Sequence, residues 1–395
     1  MSVAPMSGDV VAQIPPGEAR RTLAFAGLSH ALHDGFTDVI YILLPVWQSE
    51  FRLSYVALAL LRGMNTGAMA ALQIPAGRIA KVLGGRTTLA LGTALAATGY
   101  ALAGLSGGLI GLASALTLSG IGSSTQHPLA SAAVARAYGS KARGPLGTYN
   151  FAGDLGKAVL PALVSLLLVV VSWRRTVEVI AALGIVVAVM IGACMPSFAR
   201  SVATGPVEPR GAGRGGFGLL FAIGVLDTGV RMGFLTFLPF LLSSKGAALP
   251  VVGLTLAGVF LGGAAGKFAC GWLGERLGLL TVVLTTEIGT AGGILAVIAL
   301  PLTPALIVLP LLGVLLNGTS SVLYGTVPAL AAPGKTEHAF ALFYTGTIGS
   351  GALSPVLYGV IGDWAGPSWG ATAAAVTALM ACPLAMLLAP RLRAV

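Results

Sequence analysis

The chain has 395 residues, of which 56% are hydrophobic and 9% charged, and its mean hydropathy is +0.90. A soluble domain carries about 25% charged residues, so this composition excludes an ordinary water-soluble enzyme and puts most of the mass in a lipid bilayer. The net charge of +10 is scattered along the chain and forms no basic domain face of the kind that binds nucleic acid.

Residues 1–21 are polar, contain Pro15, Pro16, Arg20 and Arg21, and lack an early apolar core. They are expected to be a cytoplasmic tail and not a cleaved signal peptide. A spanning helix needs about 20 mainly apolar residues. Segments 22–47, 55–76, 88–106, 109–135, 145–171 and 176–195 meet that need. The polar stretch "SFARSVATGPVEPRGAGRGG" over 197–216 follows, rich in Gly, Pro and Arg, and reads as a flexible linker. Segments 217–242, 251–272, 279–300, 304–328, 339–362 and 369–389 complete the set. The expectation is an all-α membrane protein of twelve spanning helices. Its parts are an N-terminal six-helix bundle over 22–196, a C-terminal one over 217–390 and a short cytoplasmic tail over 391–395. The runs are too long and too uniformly apolar for barrel strands.

Basic residues fix the orientation. With both termini inside, fifteen Lys and Arg lie in cytoplasmic connections and four outside, at Arg52, Arg174, Arg175 and Lys245; Arg62, Lys157, Arg231 and Lys267 lie within helices. That is a positive-inside bias. The 56 glycines suit close helix packing in lipid. Cys194, Cys270 and Cys382 are far apart in apolar runs and read as inert core residues, with no disulfide or metal cluster expected.

The halves echo each other. Gly77-Arg-Ile-Ala-Lys-Val-Leu-Gly84 follows the second segment and Gly271-Trp-Leu-Gly-Glu-Arg-Leu-Gly278 the eighth. Both place a charge between glycines at an expected tight turn, so Gly77, Lys81, Gly84, Gly271, Glu275 and Arg276 are candidate gating residues. Asp34 and Asp38 precede Leu44-Pro45, and Asp227 and Arg231 precede Leu238-Pro239; "GSS" over 122–124 matches "GTSS" over 318–321. Repeats of this size point to a transporter with its site between the halves.

A six-plus-six arrangement with these turns resembles the major facilitator superfamily. "GWLGERLG" over 271–278 matches that superfamily's signature. The turn over 77–84 departs from it, with Lys81 where an aspartate is usual and Val82 where an arginine is usual. "SHALHDG…LLPVWQSEF" over 29–51 and "GIGSSTQHPLASAAVAR" over 120–136 are similar to the fosmidomycin-resistance branch of bacterial drug exporters, with His33 a departure where an amide is usual. The resemblance implies proton-driven efflux of small molecules by alternating access. The expected setting is the bacterial inner membrane, where the chain would be a multi-pass monomer.

The ionisable residues inside the apolar segments carry the chemistry, because charge at mid-membrane must face protein or water. His30, Asp34, Asp38 and Tyr41 share one face of the first segment, with His33 and Thr37 beside them. Depth suggests an Asp38–Arg62 pair, Lys157 level with Asp34, and His127 level with His30. Asn150, Asp154, Lys157 and Pro161 form a second stripe, with Asp154 and Lys157 at i, i+3. Asp227 and Arg231 stand at i, i+4. Lys267 is expected to snorkel from near a helix end, and Glu287 has no evident partner.

His30, Asp34, Asp38 and Asp154 are therefore the candidate proton-coupling groups. The candidate substrate-binding groups are His33, Arg62, His127, Asn150, Lys157, Asp227, Arg231, Tyr324 and Tyr344. Gln73, Gln126 and Asn317 are polar positions better read as packing hydrogen bonds. The leading reading is a proton-coupled exporter of a small organic solute, anionic or amphiphilic, that uses the proton gradient and no cofactor. The alternative is a divalent transition-metal transporter in which His30, His33, Asp34 and His127 supply ligands. The expected partners are the solute, protons and lipid, and not nucleic acid. A glycine-rich phosphate loop, a nucleophile elbow and a zinc-protease helix are all missing from the sequence, which argues against an enzyme.

Overall fold

The first helix, α1 (Pro16–Phe51), begins with proline in its first turn, where a missing N–H costs little. Arg52, with φ 51°, ends it, and Ser54 caps α2 (Tyr55–Leu83) by accepting from the Ala57 N–H at 3.1 Å. There follow α3 (Gly85–Gly104), α4 (Leu109–Ser123), α5 (Gln126–Tyr138), a 3-10 turn (Gly139–Lys141), α6 (Arg143–Val170), α7 (Trp173–Cys194), α8 (Phe217–Ser244), α9 (Leu249–Ala299), α10 (Leu302–Leu330), α11 (Thr336–Ala365) and α12 (Pro367–Leu392). This computed structural model describes residues 14–198, 216–332 and 336–392. The tail expected over 1–21, the linker over 197–216 and the tail over 391–395 lie largely outside the described residues. Among the described residues, seven helices, α6, α7 and each from α8 to α12, are long and apolar enough to cross a membrane.

Three boundaries differ from the sequence reading. The segment expected over 109–135 is two helices, because the chain breaks at Ser124-Thr125. Pro128 offers no N–H and its ring conflicts with the carbonyl four residues earlier. The Ser124 and Thr125 hydroxyls donate instead to the carbonyls of Ile121 and Gly122, at 2.7 and 3.0 Å. The turn expected over 77–84 is mostly helix: Gly77 and Lys81 lie on the last turns of α2, and only Gly84 leaves it, with φ 83° and ψ 147°. Likewise Gly271, Glu275 and Arg276 are helical, and the bend within α9 falls at Gly278, with φ 77° and ψ 163°. Both bends use the positive φ that glycine alone adopts cheaply, at equivalent places in the two halves. Cys194 is exposed and not a core residue.

Every residue from Asp38 to Leu44 on α1 is buried, and so is every residue from Gly233 to Leu242 on α8. A helix buried on all sides is central, so these repeat-equivalent helices occupy the middle of the structure. Close backbone approach positions them. A Cβ at Gly156 of α6 would come within 1.9 Å of the Ala31 carbonyl oxygen, and one at Gly153 within 2.6 Å of the His30 ring.

The halves meet through α2 with α11, α6 with α9, and α1 with α8. Among the described residues, the hydrogen bonds between halves run from mid-bundle to the end that carries the α1–α2 connection. At that end Asp363 of α11 accepts the Tyr55 N–H at 2.5 Å and the Val56 N–H at 3.2 Å. It therefore caps α2 of the other half. Tyr55 also packs on Phe237 and Phe240 of α8.

Candidate functional site

Asp34 is near the middle of α1 and buried. Its carboxylate is 3.1 Å from Lys157 Nζ, 3.3 Å from His30 Nε2 and 3.7 Å from His127 Nε2. The break between α4 and α5 delivers His127, and the glycine seam between α1 and α6 delivers Lys157. His30 is fixed twice. Its ring stacks on Tyr149 at 4.2 Å, and Nδ1 is 2.9 Å from the Tyr149 carbonyl oxygen. A carbonyl only accepts, so Nδ1 carries a proton and donates. Nε2 then faces a carboxylate, which also accepts. That contact needs a proton on His30 Nε2 or on Asp34, or a cation nearby, and the Lys157 ammonium is the cation present. Gln126 steadies the same corner by donating to the Tyr149 hydroxyl at 3.0 Å.

The arrangement continues across the halves. Lys157 is 4.0 Å from Asp154, and Lys267 of α9 donates to Asp154 at 2.6 Å. Lys267 therefore does not snorkel: it spans the interface and is the principal partner of Asp154. Sequence depth could not reveal this contact, since 113 residues separate the two.

Asp38 and Arg62 are 3.7 Å apart, so the pair inferred from depth is present. Arg62 is 2% exposed, with its guanidinium over the Tyr41 ring at 4.4 Å and Nη2 at 3.3 Å from Met232 Sδ of α8. The Tyr41 hydroxyl reaches the same sulfur at 3.5 Å.

The expected Asp227–Arg231 pair is not among the ion pairs of the described residues. Arg231 instead donates to the Asn317 side-chain carbonyl of α10 at 3.3 Å, while Asp227 and Glu287 are both buried. Glu287 accepts from the Thr319 hydroxyl at 2.9 Å, which contacts the Thr286 hydroxyl at 2.7 Å. Glu287 thus has a partner on α10.

His33 stands apart from the cluster. Nδ1 is 3.0 Å from Ser123 Oγ and Nε2 3.0 Å from Thr93 Oγ1. The Thr93 hydroxyl already donates to the Leu89 carbonyl, so Nε2–H donates to it and Nδ1 accepts from Ser123. Both ring nitrogens are used in joining α1, α3 and α4. Of the four residues considered as metal ligands, only His30, Asp34 and His127 offer atoms that lie within 4.8 Å of one another. Asn150 is exposed. Tyr324 and Tyr344 pack together at 4.8 Å, and the Tyr324 hydroxyl is 3.2 Å from Thr347 Oγ1. Among the gating candidates, Lys81, Glu275 and Arg276 are exposed, and Arg276 lies over the Trp272 ring at 4.0 Å.

The model of the "Major Facilitator Superfamily" matches residues 26–217 and 219–395. Two similar solved structures are of a bacterial homolog to the human lysosomal transporter Spinster, one inward-facing and occupied, the other inward-facing and unoccupied. The first has a TM-score of 0.79 at 16% identity, covering 95% of this chain and 98% of that one. The second has a TM-score of 0.80 at 16% identity, covering 96% and 98%. At this identity they show a shared fold. No curated protein matches the sequence. With a family match over nearly its whole length and an all-helical fold shared end to end with these transporters, the chain belongs to the major facilitator superfamily.

Proposed function

We propose that this chain is a proton-coupled secondary transporter that exports a small organic solute by alternating access. In this reading it has twelve spans, with α4 and α5 forming one and α9 forming two. Both termini are on the cytoplasmic side of a bacterial inner membrane, and the six-helix units are 22–196 and 217–390. The observation that carries the proposal is the continuous ionic chain His30–Asp34–Lys157–Asp154–Lys267, which starts at mid-membrane in one half and ends in the other.

The chain converts protonation into motion. A proton on Asp34 removes the charge that holds Lys157 at 3.1 Å. Lys157 then turns to Asp154, its other neighbour on α6, and competes with Lys267 for that carboxylate. The contact between halves weakens, and the transporter is free to exchange the side it opens to. Loss of the proton reverses each step. A histidine at 3.3 Å and another at 3.7 Å from the same carboxylate supply a route by which the proton reaches it.

The test is proton movement in inside-out vesicles with a preset gradient, adding organic acids, organic cations and divalent metals one at a time. A solute that collapses the gradient with wild type but not with Asp34→Asn supports the proposal. A gradient that responds to divalent metals alone, and is lost in His30→Ala, replaces it with the metal-transport reading. Lys157 argues against that outcome, because its ammonium already neutralises Asp34 and repels a second cation.

A further inference from the structure

Arg62 is a buried guanidinium with donors to spare. Its Nε and Nη1 atoms are buried and have no hydrogen-bond partner, and so is Arg231 Nε. Its one carboxylate neighbour, Asp38, is 3.7 Å away, beyond the 2.7–2.9 Å of a charge-assisted bond. The remaining contacts of Arg62 are an aromatic face and a thioether, neither of which takes up the orphaned N–H groups. Among the described residues, the side chain of Arg231 has one hydrogen bond, to a neutral amide oxygen. Native interiors rarely leave such donors unpaired without a functional reason.

The two arginines belong to different halves, on α2 and α8, and meet the same seam. Met232, next to Arg231 on α8, touches both Arg62 and Tyr41. One carboxylate, poorly placed, therefore serves Arg62 at the junction of the halves, where the central helices α1 and α8 meet their neighbour α2.

We propose that Arg62 and Arg231 form the binding site for an oxyanion group of the transported solute, and that Asp38 is the internal anion that this group displaces. The inference rests on the transporter reading and adds the class of cargo. A carboxylate or phosphoryl group offers two or three oxygens to the free N–H donors of both arginines, which a forked guanidinium is shaped to hold. The Tyr41 ring and the Met232 thioether form an apolar wall beside it, suited to an aromatic or aliphatic body. Binding to one arginine from each half draws the halves together around the solute. In the empty transporter Asp38 keeps Arg62 from standing as an uncompensated charge.

Calorimetric titration of the full-length protein in lipid nanodiscs tests this, with no gradient present and ionic strength held constant. The probes are benzoate and inorganic phosphate, with tetraethylammonium as the cation control. The expected result is that at least one oxyanion binds and tetraethylammonium does not. Arg62→Gln and Arg231→Gln each weaken binding by roughly tenfold or more, and Arg62→Lys weakens it less, since a charge remains but the fork is lost. Asp38→Asn moves the other way and tightens binding, because the competitor is gone. The idea is overturned if neither wild type nor Asp38→Asn binds either oxyanion, if both arginine variants bind like wild type, or if Asp38→Asn weakens binding as the arginine variants do. A merely structural Asp38–Arg62 pair predicts that last pattern. Should Arg62→Gln not fold, Arg231→Gln and Asp38→Asn still decide. Oxyanion binding without proton movement in the vesicle assay sinks the coupling and leaves this site standing. Proton movement driven by a cation, with no oxyanion bound, does the reverse.

Discussion

Lys267 of the second half donates to Asp154 of the first at 2.6 Å, and Asp154 is also 4.0 Å from Lys157. One carboxylate is thus shared between a base on its own helix and a base across the interface. Lys267→Met removes the nearer partner and leaves Asp154 half compensated. Because the Lys267 side chain is partly exposed, we expect a modest loss, about 1 kcal/mol. Asp154→Asn leaves two lysines near each other and should cost more. In thermal unfolding of the solubilised protein, the double variant should recover part of the loss of Asp154→Asn. Strict additivity of the two single effects would show that the residues do not interact.

The seam between α1 and α6 has a sharp steric test. Gly156→Ala puts a methyl group 1.9 Å from the Ala31 carbonyl, and rigid backbone cannot yield to it. The helices must separate, which disturbs the Asp34–Lys157 contact as well, and a cost of about 2–3 kcal/mol is expected. Gly147→Ala on the same helix meets nothing within 4 Å. It should be neutral or raise the melting temperature, since alanine is the better helix former by about 0.5–1 kcal/mol. Equal melting temperatures for the two variants would contradict the packing described.

His33 links three helices through two hydroxyls. His33→Ala leaves a cavity and strands the Ser123 hydroxyl, and should destabilise by about 1–3 kcal/mol. His33→Gln keeps one donor and one acceptor and should restore part of that, read in the same unfolding assay. A variant that loses nothing on truncation to alanine would remove the structural role assigned to the ring.

Asp363 holds the first two backbone N–H groups of α2 from the other half. Asp363→Ala leaves that helix start with Ser54 as its remaining cap. The cost should be about 0.5–2 kcal/mol, felt only when this end is closed, so the population open at this end should rise. Faster hydrogen exchange at Tyr55 and Val56 is the readout. Unchanged exchange there would mean that the contact does not hold the halves together.

Much of the first half was legible because depth along a helix is countable. Asp38 and Arg62 were matched by distance from a shared connection, and Lys157 by its level with Asp34. The second half was harder. Asp227 and Arg231 have the spacing of an intrahelical pair, but Asn317 on a neighbouring helix offered Arg231 a different partner, and tertiary contact overrode spacing. Lys267 looked free to snorkel because its acceptor belongs to the opposite half. His33 carried no sign of its two hydroxyl partners beyond the serines near 123. Asp363, at a helix end among exposed residues, gave no signal at all. Helix breaks were harder to read: the interruption before Pro128 lies inside a segment whose apolar length reads as one helix, and the bends at Gly84 and Gly278 come at the ends of stretches in which charged residues between glycines read as loop.

The cap that Asp363 provides is asymmetric in what mutation can reach. Its donors on α2 are main-chain groups, present whatever side chains stand at Tyr55 and Val56, unless proline replaces one of them. Drift in the first half therefore leaves the latch almost untouched. A single codon in the second half sets its strength, and with it the time the transporter spends sealed on that side.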